Sequence, residues 1–95
     1  MDIKEFQKLM HQLYFSRDSQ RGTDKTLAWL EDEVQELKEA LKEGDIQAAE
    51  KEFADVLAWL ASLANVVNVD LEKAALEKYP HKCSKCNQNP CDCPL

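Results

Sequence analysis

Up to Tyr79 the chain has only two residues that readily break a helix, Gly22 and Gly44, and all three of its prolines lie beyond that point. Glycine and proline are the main residues that let a backbone turn sharply. With so few of them, the chain before Pro80 is restricted to helices joined by tight turns. Its 95 residues fit one small domain with a modest core. The expected fold is therefore all-α: an antiparallel bundle of about four helices, completed by oligomerisation, with a short irregular Cys-rich tail.

Apolar periodicity places the helices. Ile3, Phe6, Met10, Leu13 and Tyr14 recur at three- and four-residue steps and predict a first helix from Ile3 to about Arg17. "SQRGTD" breaks the pattern and reads as a loop. Thr23 or Asp24 can cap a second helix that runs to Glu43, with Leu27, Leu30, Val34, Leu37 and Leu41 as its stripe. Gly44 stops it, and Asp45 caps a third helix reaching about Val67. So short a turn makes the two helices antiparallel neighbours. Asp70 caps a fourth, short helix from Leu71 to about Tyr79, which Pro80 ends. Residues 1–79 form the helical unit and 80–95 the tail.

A net charge of −6 weighs against nucleic acid as a partner and against an anionic membrane surface. The start, "MDIKEFQK", has no apolar signal segment, and the expected compartment is the cytoplasm. The apolar stretch from Phe53 to Val69 is short for a membrane span and is interrupted by Asp55, Asn65 and Asn68, so it reads as a buried helix.

That helix raises the functional question. From Phe53 to Val67 its only charge is Asp55, with Glu52 three residues earlier. On a helical wheel, Glu52, Asp55 and Trp59 share the edge of a face formed by Phe53, Val56, Leu60, Leu63 and Val67. On the second helix, Trp29, Glu33, Glu36 and Ala40 share the sector beside the leucine stripe. Glu31, Asp32, Gln35, Lys38, Glu39 and Lys42 form its solvated side. Each helix thus offers two carboxylates in i, i+3 register. Glu36 lies eight residues before Gly44 and Glu52 eight after it, and Glu33 and Asp55 are each eleven away. A hairpin brings all four to matching heights. Four carboxylates in a part-buried site repel one another unless cations intervene. An all-oxygen donor set favours Mg²⁺ or Mn²⁺ over zinc. A di-iron bundle would want Glu-x-x-His on two helices, and the two histidines, His11 and His81, are not so placed. The plainer alternative is that these acids are solvated surface.

"EVQEL" (Glu33 to Leu37) followed by "EFADVLAWL" (Glu52 to Leu60) resembles the E-x-x-E … E-x-x-D signature of the MazG-type all-α nucleotide pyrophosphohydrolases. "SRD" at Ser16–Asp18 and "VNVDLEKAALEKYP" at Val67–Pro80 are similar to flanking segments of that family. The resemblance covers roughly residues 3–79. It implies Mg²⁺-dependent hydrolysis of a nucleoside triphosphate to a monophosphate and diphosphate, as house-cleaning of non-standard or excess (d)NTPs. It makes Glu33, Glu36, Glu52 and Asp55 the metal ligands, with Glu36 the candidate for orienting or deprotonating water. Trp59 matches a position where the family often sets an aromatic against the nucleotide; its alternative role, like that of Trp29, is core packing. Lys78 and Tyr79 are candidates to reach the phosphates, and the loop around Ser19–Lys25 to close over substrate. Ser19 stands where relatives often have Trp, so the base preference does not carry over; Gln35 stands where they often have Gly, a change a helix tolerates. The resemblance and the apolar circumference of helix three both imply a homodimer or homotetramer.

Cys83-x₂-Cys86-x₄-Cys91-x-Cys93 places four thiols in a short tail, a pattern suited to structural Zn²⁺. His81 is an alternative ligand, because the Cys-x-Cys half is tight. Disulfides, free thiols and an iron–sulfur cluster are the other readings. Two further hypotheses stand beside the leading one. The first is phosphoribosyl-ATP pyrophosphohydrolase, from a related all-α group. The second is a non-enzymatic, zinc-stapled helical adaptor in which the four acids are ordinary salt-bridge partners.

Overall fold

The structure, a computed structural model, describes residues 1–95. It contains four helices and no strand: α1 (Ile3–Arg21), α2 (Thr23–Glu43), α3 (Ile46–Val66) and α4 (Leu71–Lys78). α3 is central and packs against both α1 and α2, and α4 folds back on α1. No single helix is long and apolar enough to cross a membrane.

The caps explain the boundaries. Asp2, Asp45 and Asp70 each accept a hydrogen bond from the backbone N–H three residues on, at Glu5, Ala48 and Lys73. Gly44 adopts the left-handed conformation (φ 74°), and its N–H donates to the Ala40 and Leu41 carbonyls. α3 ends through Asn68, at φ 58°, with the Val69 N–H donating to the Ala64 carbonyl over 2.9 Å. Asparagine tolerates that conformation better than most residues. α4 then leaves at 100° to α3.

The first loop is a correction. Ser19, Gln20 and Arg21 continue α1, and Gly22 alone separates it from α2. Gly22, at φ 85°, accomplishes in one residue what six were expected to do. The Arg21–Asp18 ion pair, 2.6 Å long, lies within the added turn. The cap of α2 is Gly22, with no side-chain hydrogen bond, rather than Thr23 or Asp24.

The packed faces also differ from the leucine stripes. The buried apolar residues are Met10, Ala40, Ala49, Ala61 and Ala64. Phe53 is 57% exposed, Leu60 40% and Leu41 51%. Small side chains let helix axes approach closely, so α3 turns its alanines inward and leaves its larger residues partly uncovered.

A polar staple ties the N-terminal helix to the α3–α4 corner. The Gln7 Nε2 donates to Asn65 Oδ1 over 3.0 Å and to the Val69 carbonyl over 2.7 Å. Gln7 Oε1 accepts from the Leu71 N–H over 3.0 Å, and Asn65 Nδ2 donates to the Gln7 carbonyl over 3.1 Å. Replacing either side chain strands partners that are part-buried. Gln7→Ala and Asn65→Ala should each lower unfolding free energy by roughly 1–3 kcal/mol in urea denaturation, and the double variant should lose less than the sum.

Candidate active site

The α2–α3 hairpin fixes the site. Its tight turn makes residues equidistant from Gly44 face each other, and carboxylate oxygens of Glu33, Glu36 and Glu52 all lie within 4.8 Å of one another. Glu33 and Glu52 are half-buried and Glu36 is exposed. Glu33 Oε2 and Glu52 Oε2 are buried without any hydrogen-bond partner. Buried carboxylate oxygens are almost always partnered, so this pair is unusual. An all-carboxylate donor set with two orphaned oxygens fits a hard divalent cation.

Electrostatics carry the same message. Glu33 is pushed up to about 7, first by burial, then by the adjoining Glu36 carboxyl and by the charge on Asp55. Burial, followed by the charge of Glu36, also raises Glu52. Asp55 is exposed and lies outside the tight group of three, though close enough to act on Glu33. It lines an adjoining cleft of about 320 Å³ with Tyr14, Arg17, Asp18, Arg21 and Trp59.

Trp29 and Trp59 stack on each other with ring centroids 5.6 Å apart and planes 10° from parallel. The Arg21 guanidinium carbon is 4.8 Å from the Trp59 ring centroid. Trp29 is 49% exposed, so it is not a core residue. Lys78 and Tyr79 lie together at the end of α4, with the ammonium 5.8 Å from the ring, and line none of the clefts.

Sequence reasoning assigned no individual role to Asp18, Arg21 or Thr26. Asp18 is 2% exposed and Thr26 wholly buried, and Asp18 Oδ2 and Thr26 Oγ1 have no partner. The signal for Asp18 was present. It follows Met10 and Tyr14 at four-residue steps, so a charge sits on the apolar stripe of α1.

At the other end of the chain, the sulfurs of Cys83, Cys86, Cys91 and Cys93 also lie within 4.8 Å of one another. His81 is not in that group. The backbone N–H groups of Cys86 and Lys85 hold Cys83 down at about 6, and those of Asp92 and Gln88 lower Cys86. Hydrogen bonding to the Cys91, Cys86 and Cys83 sulfurs pushes Cys93 up to about 11.

The family model of the MazG nucleotide pyrophosphohydrolase domain matches residues 21–87. That span begins at the end of α1, takes in α2, α3 and α4, and includes the first two cysteines. No curated protein matches the chain.

The shift at Glu33 sets a pH dependence. Folded, it keeps a proton up to about pH 7 that the unfolded chain releases near its ordinary value of 4.5. Between those values the native state binds more protons, so stability falls as pH rises. Urea midpoints measured without divalent cations should decline from pH 4.5 to about 7, and Glu33→Gln should flatten that decline.

Proposed function

The matched span covers most of the sequence, so the chain belongs to the MazG nucleotide pyrophosphohydrolase family, and we propose that it hydrolyses nucleoside triphosphates to monophosphate and diphosphate with Mg²⁺ held by Glu33, Glu36, Glu52 and Asp55. The observation that carries this reading is the convergence of three carboxylates from two helices around buried, unpartnered oxygens. Bound Mg²⁺ supplies charge neutralisation at the phosphates and lowers the pKa of an attacking water.

The chain's own residues supply positioning. Glu36 is the exposed member of the group and can hold the water and accept its proton. The bond broken is the bridge between the α and β phosphates, and the diphosphate leaves. Arg17 and Arg21 bring positive charge to the cleft beside Asp55, and Arg21 is already anchored by Asp18. Trp59 and Trp29 offer flat apolar faces for a base or sugar. Removal of non-standard or excess (d)NTPs in the cytoplasm is the biological counterpart that belongs to this proposal.

The proposal includes a homodimer or homotetramer. Phe53, Leu57 and Leu60 form a partly bare row on α3, at 57%, 45% and 40% exposure. A second copy of the same helix is a fitting cover. Lys78 and Tyr79, which line no cleft of their own chain, would then meet a nucleotide across such an interface. Light scattering should give an even multiple of the 10.9 kDa chain mass, and Phe53→Glu should shift it toward the monomer.

Diphosphate release over a nucleotide panel with Mg²⁺ tests the reaction. Glu36→Gln and Asp55→Asn should each reduce kcat/KM by roughly 10²–10⁴-fold with the helical circular dichroism retained. Turnover that survives both substitutions overturns this site. Absence of turnover on every nucleotide overturns the activity and favours the helical adaptor. Trp59→Ala should raise KM by about tenfold if a base rests on it.

A further inference from the structure

The tail presents a folding problem that its own side chains do not solve. Residues 80–95 contain no helix or strand, and their apolar side chains are three prolines and Leu95. Leu95 is fully exposed. The backbone is nevertheless folded: the Cys83 N–H donates to the Gln88 carbonyl over 2.9 Å and the Asn87 N–H to the Cys83 carbonyl over 3.0 Å. Asn89 Nδ2 donates to the His81 carbonyl over 2.9 Å. These bonds stay inside the tail, so the helices do not hold it in shape through them.

The four sulfurs are what this backbone organises. Cys83 and Cys93 are 3.8 Å apart at sulfur, and Cys86 and Cys91 are 3.9 Å apart. A disulfide would need about 2.05 Å, so these are free cysteines and not two bridges. A tetrahedron of sulfurs around one metal ion at about 2.3 Å has edges of about 3.8 Å. Both separations lie within about 0.1 Å of that value. An iron–sulfur cluster of several irons would spread its cysteine sulfurs beyond the 4.8 Å that bounds this set.

Backbone N–H groups also point at the sulfurs. Lys85 donates to Cys83 Sγ over 3.4 Å, Asp92 to Cys86 Sγ over 3.3 Å, and Cys93 to Cys91 Sγ over 3.3 Å. A thiol sulfur is a weak acceptor, whereas a thiolate rewards such donors. Four thiolates at this spacing repel one another without a cation.

We propose that Cys83, Cys86, Cys91 and Cys93 bind one structural Zn²⁺ as a closed tetrathiolate site that folds the tail, separately from the carboxylate site on α2 and α3. The two sites divide by chemistry: all-sulfur donors take the soft ion and all-oxygen donors the hard one. Four protein ligands leave no open position for catalysis, so the ion's role is structural. His81 is not required as a ligand.

The test uses the full chain purified without chelator from zinc-supplemented culture. Elemental mass spectrometry should find about one zinc per chain. Exchange with Co²⁺ should give the visible absorption of a tetrahedral ion together with intense thiolate charge-transfer bands in the near ultraviolet. Cys86→Ser with Cys91→Ser should drop zinc content at least about tenfold, while the urea midpoint of the helical body moves little. Zinc near zero in the wild-type chain, iron in its place, or intact-mass evidence of disulfides after anaerobic purification would each overturn the proposal. Zinc retained by the double variant would also overturn it.

Discussion

The geometry of this protein depends on the turn at Gly44. Its left-handed backbone and the Asp45 cap reverse the chain in minimal space. That reversal sets the register between α2 and α3, and the register sets which side chains meet. A one-residue shift on either helix would rotate its acids by about 100° and break the convergence of Glu33, Glu36 and Glu52. Alanines at 40, 49, 61 and 64 allow the helices to close on each other around that register. The turn, the small residues and the acids act as one arrangement.

The arrangement carries a cost. Like charges are held together, Glu33 is pushed up to about 7, and two carboxylate oxygens are buried without partners. A chain selected only for stability would place other residues there. Destabilised polar groups cluster where chemistry is done, which accords with the activity proposed for this cluster. The Gln7–Asn65 staple and the aspartate caps of α1 and α4 stabilise the bundle outside the group of three carboxylates.

Much of this was legible in the sequence, because it rested on local chemistry. Asp45, Asp70 and Gly44 act where capping rules put them, and the equal spacing of Glu36 and Glu52 from Gly44 anticipated their meeting. Asp55 was harder to place: equal spacing fixes height along a hairpin but not the side on which a carboxylate emerges. The loop after Arg17 was misread because polar residues there suggested a break, while only Gly22 makes one. The face that α3 turns inward within the single chain is its alanine side, which the sequence reading did not single out. Leucine and phenylalanine supply area, but alanine supplies proximity, and the tightest contact goes to the smaller side chain. Gln7 and Asn65 were hidden for a different reason. Their partnership spans 58 positions, and no local pattern reports a bond of that range.

The stacked indoles have one more consequence. Trp29 and Trp59 are the only two tryptophans in the chain. Light absorbed at the red edge of the protein's spectrum is therefore absorbed beside the cleft and nowhere else. At 5.6 Å the two excited states mix, and the pair has an optical activity that neither ring has alone. Anything that wedges the rings apart erases that signature, so the molecule carries an unlabelled gauge of its own ring stacking.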